Sequence, residues 1–330
     1  MKKRSRKKLY LNIAVALLLV FLLASAFLVL KIWEQHQGKY PEFNPEDHVF
    51  VYDGKEFLPK DNIETFLILG LDKYEQDISD LDSYKNDRQA DFLLLFVFDN
   101  DAKTVSAIHV NRDTMATISV LGVAGNAIDS VTKQIALAHT YGNGREVSCR
   151  NTADAVSNLL LGAKVNHYLS LTMDSVAVFN DLVGGVEVTV LDDFTGIDDT
   201  LIKGEKVTLM GEQALHYVRT RYGMEDSTNS TRMARQQQYV NALYEKFLQS
   251  VESDDKFLVD ASLKMSEFIV SDRSVTQMQD LANKFKEYEY TGICQIDGES
   301  KMGEKFIEFY PDSTSVQKIV SELFYEPKDK

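Results

Sequence analysis

The first strong pattern along the chain is an uninterrupted apolar stretch from Leu9 to Leu30 that contains no charged residue. An α-helix rises ~1.5 Å per residue, so this stretch is long enough to cross the ~30 Å hydrocarbon core of a bilayer. It predicts one transmembrane helix over residues 9–30. The small residues Ala24-Ser25-Ala26 are compatible with a signal-peptide cleavage site, but the apolar run continues beyond them. We therefore favour an uncleaved signal anchor.

Charged and polar residues on either side of this stretch predict its orientation. Residues 1–8 carry six basic side chains and no acidic one, and such flanks stay on the cytoplasmic side. The predicted arrangement is a single-pass cell-membrane protein with a cytoplasmic tail and an extracellular C-terminal domain. Residues 31–62 are polar and contain three of the five prolines, so we expect a linker with at most one peripheral strand. The folded domain is predicted over residues 63–325, with a short tail at 326–330.

Within that domain, strand-like and helix-like patterns alternate. The continuous apolar run at 65–72 is typical of a central strand buried on both faces. Apolar periodicity and turn signals then predict helices near 132–141, 151–161, 173–182, 239–250, 274–287 and 312–324, and strands near 165–171, 186–191, 293–296 and 306–310. Strands alternating with helices indicate an α/β fold, specifically an α-β-α sandwich around a central mixed β-sheet.

A predicted hairpin brings three charged residues together. Residues 92–98 and 104–110 read as two strands joined by the turn 99–103. Antiparallel pairing across this turn sets Asp91 opposite Asn111, beside Arg112 and Asp113. Two neighbouring carboxylates repel unless a cation lies between them or one is protonated, and Mg²⁺ with phosphate oxygens would satisfy them. The equally open alternative is that both acids cap strand ends and Arg112 is their counter-ion.

The overall charge and the cysteine count exclude several classes of protein. The net charge is −14 despite the basic N-terminus, so the domain repels nucleic acid and no nucleic-acid partner is expected. No phosphate-binding or dinucleotide-binding glycine motif is present, which argues against ATP-driven and NAD-dependent enzymes. The two cysteines, Cys149 and Cys294, are compatible either with one disulfide or with two unrelated buried thiols.

The segment 211–239 concentrates arginines in an otherwise acidic domain. Arg219 and Arg221 follow a short helix, and a polar loop leads to a second helix that Asn229 or Ser230 could cap. Arg232 and Arg235 lie in the first turns of that second helix, where positive charge opposes the helix dipole. A bound anion would resolve this conflict, because guanidinium groups and free backbone N–H groups both suit phosphate. Pairing with acidic neighbours is the alternative, and we favour the phosphate site.

Several motifs in a fixed order resemble the LytR–CpsA–Psr family of bacterial envelope proteins. They are FLILGLD at 66–72, ADFLLLFVFD at 90–99, NRDT at 111–114, LAHTYGNG at 137–144, NDLVGGVEVTV at 180–190, GEQALHYVRTR at 211–221 and RMARQ at 232–236. The resemblance implies a membrane-anchored phosphotransferase in a Gram-positive-type bacterium. Such enzymes move a glycopolymer, such as wall teichoic acid or capsule, from an undecaprenyl-pyrophosphate carrier to peptidoglycan. The prenyl tail of the carrier is then expected in an apolar tunnel.

The resemblance also implies roles for individual residues. Residues implied to hold the pyrophosphate are Arg112, Arg219, Arg221 and Arg235, with Arg232 and Gln236 assisting. Asp91 and Asp113 would bind Mg²⁺, and either could be the general base. Asp72 is expected to be a further acid close to the site.

Four positions depart from the family pattern. The departures are Gln89 for an arginine, Asn111 for a proline, Gln134 for a lysine and Asn229 for an acid. Arg88 is adjacent to Gln89, but a one-residue shift in a strand reverses the side-chain direction. We therefore do not expect Arg88 to replace the arginine that is absent at position 89. The departures leave open a lowered activity or a different transferred polymer. The competing function is a non-catalytic envelope protein that binds lipid-linked polymer or regulates envelope assembly.

Overall fold

The computed structural model describes residues 49–72, 86–220, 229–254 and 256–328. These residues belong to a compact unit that extends from Phe50 to Lys330. The predicted transmembrane helix at 9–30 and residues 31–48 of the predicted linker lie outside the described residues. Among the helices that are described, none combines the length and the apolar character that crossing a bilayer requires.

Fifteen strands and seven α-helices make up the described part of the domain. The strands are β1 Phe50–Tyr52, β2 Lys55–Pro59, β3 Ile63–Leu71, β4 Ala90–Asp99, β5 Thr104–Val110, β6 Met115–Leu121, β7 Ala127–Gln134, β8 His167–Thr172, β9 Val186–Thr189, β10 Lys206–Leu209, β11 Ile269–Ser271, β12 Glu289–Gln295, β13 Gly298–Met302, β14 Ile307–Pro311 and β15 Tyr325–Pro327. The α-helices are α1 Glu146–Leu159, α2 Asp174–Leu182, α3 Glu212–Arg219, α4 Asn229–Ser253, α5 Phe257–Met265, α6 Val275–Phe285 and α7 Ser313–Phe324.

The central sheet has six strands in the order β11-β8-β3-β4-β5-β12. Strand β3 is parallel to β8 and antiparallel to β4, while β5 is antiparallel to β4 and parallel to β12. The prediction of a mixed α/β fold with a central mixed sheet is therefore confirmed. The apolar runs of β3 and β4 place these strands in the middle, because only central strands can bury so many large side chains.

The two faces of the sheet are buried to different extents. Leu67, Leu69, Leu93, Leu95 and Ile108 are completely buried, in a core shared with α1 and α7. On the opposite face several residues are only half-buried, among them Phe66, Ile68, Phe92 and Phe96, whereas Leu94 is buried. Residues 65–71 belong to a central strand, as predicted, and β3 alternates between complete and partial burial along its length.

The hairpin between β4 and β5 has a register one residue away from the predicted one. Leu93 pairs with Val110 and Asp99 pairs with Thr104, so Asp91 is aligned with Arg112 and not with Asn111. The reason is the turn, which contains residues 100–103 and uses a left-handed Lys103 with φ 55°. A turn shorter by one residue shifts each facing pair by one.

A second difference concerns residues 127–134, whose last part was predicted to begin a helix. They form strand β7, which pairs with β6 along its whole length and is mostly exposed. Only residues 135–140 are helical, as a short 3₁₀ helix. The polar sequence of β7 carries no clear alternation, so its strand state depends on the partner strand.

The predicted linker and tail also differ from the structure. The described part of the linker contains β1 and β2, and β15 at the C-terminal end pairs with β2. The rings of Phe50 and Tyr325 lie 5.2 Å apart. These contacts join both ends of the described chain to the folded domain.

Candidate functional site

The charged residues predicted from the hairpin lie at one end of the central sheet. Leu71 at the end of β3 pairs with Ala90 at the start of β4. Asp72, directly after β3, and Asp91, the second residue of β4, therefore lie at the same end of the sheet. Strand β5 ends at Val110 at the same end of the sheet, directly before the turn 111–114. Antiparallel pairing therefore places residues distant in sequence side by side.

The guanidinium of Arg112 lies between two carboxylates. It donates a short hydrogen bond to Oδ1 of Asp91, and its Nε is 3.5 Å from Oδ1 of Asp113. It also donates to Oε1 of Gln89, one of the residues that depart from the family pattern. The structure thus brings Asp91, Arg112 and Asp113 together. The guanidinium of Arg112 is the cation that two adjacent acids require.

The turn that carries Arg112 is fixed by local hydrogen bonds. The backbone N–H and the hydroxyl of Thr114 donate to the carbonyl of Asn111 at 3.0 and 2.6 Å. The backbone N–H of Asp113 donates to Oδ1 of Asn111 at 3.0 Å. An asparagine that accepts from the residue two positions later is a typical turn former, so Asn111 supplies by its side chain the rigidity that a proline supplies by its ring.

The start of helix α4 is bonded to this turn. Nδ2 of Asn229 donates to Oδ1 of Asn111 at 2.6 Å, and Arg232 donates to Oδ1 of Asn229. The positions at which the chain lacks the family's proline and acid are therefore in direct contact. The result is a continuous chain of hydrogen bonds from Arg232 to the backbone of Asp113.

Arg235 and Gln236 have a different environment from Arg232. Arg235 is completely buried; its Nε lies 2.8 Å from Oδ2 of Asp192, and it donates to the carbonyls of Tyr217 and Thr220. Burial lowers the pKa of Arg235, and the charge of Asp192 opposes this shift. These donors satisfy carbonyls at the C-terminal end of α3 that have no partner within the helix.

Gln236 has the same type of partner. Its Nε2 donates to the carbonyl of Val218 at 3.1 Å, and the residue is buried. The sequence assigned both Arg235 and Gln236 to the pyrophosphate, and that assignment stays a prediction. In the structure both side chains donate to backbone carbonyls at the end of α3.

Arg219 is the exposed arginine of the described site. It donates to Oδ1 of Asp72 at 3.0 Å, with 53% of the arginine side chain and 62% of the aspartate side chain exposed. The predicted acid Asp72 thus lies beside an arginine at the same end of the sheet as Asp91. Arg221 lies outside the described residues.

Two further departures have defined environments. Nε2 of Gln134 donates to Oδ1 of Asp113 at 3.0 Å and to the carbonyl of Ile307 at 2.8 Å. Arg88 is buried and donates to the carbonyl of Gly144 at 3.4 Å. Arg88 and Gln89 precede β4, so strand alternation does not apply to them, and the contact of Arg88 is with the loop before α1.

Sequence reasoning missed one component of the site, the hairpin formed by β13 and β14. The backbone N–H of Phe309 donates to the carbonyl of Asp113 at 2.9 Å, and Phe309 forms a bridge with Thr114. Gln134 joins the side chain of Asp113 to the same hairpin. Nothing local in the sequence indicates a contact between positions this far apart in the chain.

The residues described here offer two carboxylates to a divalent cation. Among them there is no group of three or more His, Cys, Asp or Glu side chains arranged for a metal ion. Mg²⁺ is often held by one or two carboxylates together with substrate phosphates. Asp91 and Asp113 fit this arrangement, in which two carboxylates bind the ion and substrate phosphates would supply the remaining oxygen ligands.

The two cysteines are unrelated thiols, so the disulfide alternative is wrong. Sγ of the buried Cys149 lies 3.7 Å from Nε2 of His139, and the other ring nitrogen of His139 lies 3.0 Å from the carbonyl of Arg88. Burial raises the pKa of Cys149 to about 12 and lowers that of His139 to about 4. Both groups are therefore neutral near pH 7, and this pair is not an activated nucleophile.

Comparisons with known proteins give consistent results. A model of the LytR_cpsA_psr family matches residues 28–324. The chain is 24% identical over 327 residues to a protein of Bacillus licheniformis named polyisoprenyl-teichoic acid–peptidoglycan teichoic acid transferase TagU, covering 98% of this chain and 97% of the relative. It is 26% identical over 241 residues to the cell wall biosynthesis protein LcpA of Corynebacterium glutamicum, covering 66% of this chain and 45% of that protein.

Solved structures show the same fold. The structure described as TagT bound to LIIa-WTA has a TM-score of 0.60 at 22% identity and covers 86% of this chain and 93% of its own. The crystal structure of TagV from B. subtilis also has a TM-score of 0.60, at 24% identity, covering 79% of this chain and 96% of its own.

Proposed function

This chain belongs to the LytR_cpsA_psr family, and from this membership we propose that it transfers a glycopolymer from a polyprenyl-pyrophosphate carrier onto peptidoglycan. The name of the TagU relative supports this class of reaction, since it describes transfer of teichoic acid to peptidoglycan. The observation that carries the proposal is the position of Arg112 between Asp91 and Asp113, bonded through Asn111 and Asn229 to Arg232.

The proposed step is a phosphoryl transfer, in which a pyrophosphate bond is broken and a phosphodiester bond to the acceptor is formed. A hydroxyl oxygen of the acceptor sugar forms a bond to the phosphorus that carries the polymer. The bond from this phosphorus to the bridging oxygen breaks, and prenyl phosphate leaves. The hydroxyl proton passes to a carboxylate, for which Asp91 is better placed, because 19% of its side chain is exposed against 8% for Asp113.

Positive charge near the site favours this reaction. Negative charge increases on the bridging oxygen as the prenyl phosphate departs, and fixed guanidinium groups stabilise such charge more in the transition state than in the ground state. Arg112 is held rigidly by three side chains, so little reorganisation is needed. Arg232, Arg219 and Arg221 are proposed to bind further phosphate oxygens.

Mg²⁺ is proposed to bind only together with the pyrophosphate. Asp91 and Asp113 would hold it, and when bound it would neutralise charge on the phosphates. Gln134 donates to Asp113 and orients that carboxylate. Arg112 contacts both acids and therefore keeps them together before any substrate arrives.

The half-buried face of the central sheet is proposed to receive the prenyl tail. Phe66, Ile68, Phe92 and Phe96 lie on this face, which leads to the charged end of the sheet. Tyr244 of α4 covers part of it, with its ring 6.3 Å from that of Phe96. Apolar side chains that are only partly buried beneath a helix leave contact area for a hydrocarbon chain.

A membrane location agrees with such a lipid-linked donor. We propose that residues 9–30 anchor the protein in the cell membrane of a Gram-positive-type bacterium, with the folded domain outside. Two relatives are named as a teichoic acid–peptidoglycan transferase and as a cell wall biosynthesis protein. The identity of the transferred polymer, teichoic acid or capsule, would then depend on contacts with its sugars beyond the pyrophosphate.

The test uses the full-length chain in detergent with a short-chain prenyl-pyrophosphate saccharide, purified peptidoglycan and Mg²⁺. We expect release of prenyl phosphate together with covalent attachment of the saccharide. Arg112→Ala should reduce both by about 10²-fold, the order of loss when one transition-state donor is removed. Arg150→Ala is the control, because Arg150 pairs with Asp272 away from these residues. Binding of the donor without any turnover would instead indicate a non-catalytic carrier of lipid-linked polymer.

A further inference from the structure

The hairpin of β13 and β14 displays an unusual concentration of exposed apolar side chains. Met302 is 76% exposed and Phe306 is 67% exposed, and Ile307, which pairs with Met302, is also exposed. Tyr310 is exposed on the opposite face of the hairpin, because successive side chains of a strand alternate between its two faces. Exposed apolar residues that cluster, unlike those that occur singly, mark interaction surfaces. Among the described residues, the strand pairing of the hairpin is internal apart from a bridge between Phe309 and Thr114, so no neighbouring strand covers these exposed side chains.

This surface is continuous with the proposed catalytic site. The strand β14 is attached to Asp113 twice, through the backbone of Phe309 and through Gln134, which bonds Asp113 and the carbonyl of Ile307. Tyr310 is the residue after Phe309. A polymer lying along the hairpin would therefore pass next to the carboxylates.

One face of the hairpin has the chemistry of a carbohydrate-binding surface. The hydroxyl of Tyr310 donates to Oε2 of Glu308 at 2.6 Å, and Nζ of Lys301 lies 5.6 Å from the centre of the tyrosine ring and 2.9 Å from Oε2 of Glu299. An aromatic ring offers an apolar surface to the C–H groups of a sugar, and the surrounding carboxylates accept hydrogen bonds from its hydroxyls.

The charge of the hairpin argues against a bilayer as the partner. Residues 297–311 contain the four acids Asp297, Glu299, Glu304 and Glu308 against the two lysines Lys301 and Lys305. Surfaces that bind anionic bilayers carry an excess of basic residues. A hydroxyl-rich polymer has no such requirement.

We propose that the β13–β14 hairpin binds the acceptor, a glycan strand of peptidoglycan, and presents its hydroxyl group next to Asp91 and Asp113. This inference rests on the proposed function, and it identifies the part of the protein that binds the acceptor. The arginines at the end of the sheet would bind the donor, so the donor and the acceptor would bind to different elements of the protein.

The experiment separates acceptor binding from donor cleavage. Full-length protein in detergent is sedimented with peptidoglycan sacculi from which attached polymers have been removed. Tyr310→Ala and Phe306→Ser should each raise the Kd for sacculi by about 10-fold, which corresponds to about 1.4 kcal/mol. The control is Ile128→Ser, because Ile128 is 70% exposed on a different hairpin, at β7; it should bind like the wild type.

Two further measurements decide between failures. Cleavage of the donor by water, without peptidoglycan, should be the same in Tyr310→Ala and wild type. If the wild type transfers no saccharide to peptidoglycan, the proposed function fails, while the sedimentation with sacculi still reports on acceptor binding. If both variants bind sacculi as the wild type does, the acceptor proposal is overturned. It is equally overturned if the variants lose binding to vesicles of phosphatidylglycerol and phosphatidylethanolamine and keep binding to sacculi.

Discussion

The side-chain amide of Asn229 donates to the side-chain carbonyl of Asn111 across 118 positions of sequence, with 2.6 Å between nitrogen and oxygen. This hydrogen bond joins the turn that carries Arg112 to the first turn of α4, which carries Arg232. Both asparagines are buried. They stand where the family pattern has a proline and an acid, so the two replacements act together as one connection.

The first prediction is that these two asparagines are energetically coupled. Replacing either one with alanine leaves a buried amide without its partner, which costs about 1–3 kcal/mol. The second replacement should then cost much less than the first, because the hydrogen bond is already lost. A double-mutant cycle on unfolding free energy and on donor turnover should give a coupling of about 0.5–3 kcal/mol. Strictly additive effects would contradict a direct connection.

The second prediction separates structural arginines from substrate-binding ones. Arg235→Ala should lower the free energy of unfolding by about 3–5 kcal/mol, because it leaves Asp192 and two carbonyls at the end of α3 without their partner. Arg235→Lys should rescue little, since an ammonium cannot reproduce the planar fork of donors. Chemical denaturation measures both variants.

Arg219→Ala provides the matched comparison. Its ion pair with Asp72 is largely exposed, and such pairs contribute about 0–1 kcal/mol. Stability should therefore remain close to that of the wild type, while turnover of the lipid-linked donor decreases. If Arg219→Ala proved as destabilising as Arg235→Ala, the distinction between the two arginines would be wrong.

These two arginines also show what the sequence could and could not predict. The sequence correctly placed Arg232 and Arg235 in the first turns of α4, and helical spacing puts them on the flank that also carries Gln236. It could not show that Asp192 and the end of α3 pack against part of that flank, because this depends on tertiary contacts.

The hairpin of β4 and β5 gives a second example of what the sequence could predict. Alternation and turn residues predicted β4, β5 and the grouping of Asp91 with Arg112, but the length of the turn set the register one residue away. The contact between Gln134 and the hairpin at Ile307 depends wholly on how distant strands pack, and no local pattern encodes it.

The third prediction concerns pH. Burial lowers the pKa of His109 to about 3, with the charge of Arg232 adding to the effect, and lowers that of His139 to about 4, from 6.5 in both cases. Below pH 6.5 the unfolded chain binds protons that the folded chain does not. Stability should therefore fall as the pH falls from 6.5 towards 4, by about 1.4 kcal/mol per pH unit for each histidine.

Denaturant unfolding at pH 6.5, 5.75 and 5.0 measures this slope. His139→Gln and His109→Gln should each reduce it, because glutamine does not bind a proton in either state. A slope in both variants equal to that of the wild type would show that other groups cause the loss of stability in this range.

The fourth prediction is that Mg²⁺ and pyrophosphate bind to the full-length protein cooperatively. Arg112 already balances the two carboxylates, so the gain from adding a cation alone is small. A diphosphate adds negative charge and oxygen ligands, and the affinity for the metal should rise. Titration with Mn²⁺ followed by electron paramagnetic resonance should detect weak binding alone and at least about 10-fold tighter binding with inorganic pyrophosphate. By thermodynamic linkage the metal must tighten pyrophosphate by the same factor.

Variants of the carboxylates identify the source of this cooperativity. Asp91→Asn and Asp113→Asn should each remove most of the increase in Mn²⁺ affinity, whereas Asp272→Asn, at an acid that pairs with Arg150, should preserve it. Asp113→Asn also alters the acceptor of the Gln134 hydrogen bond, so its unfolding free energy is measured in parallel. Equal Mn²⁺ affinity with and without pyrophosphate would contradict a metal shared between substrate and the two acids, and Arg112 would then be the only cation that those acids require.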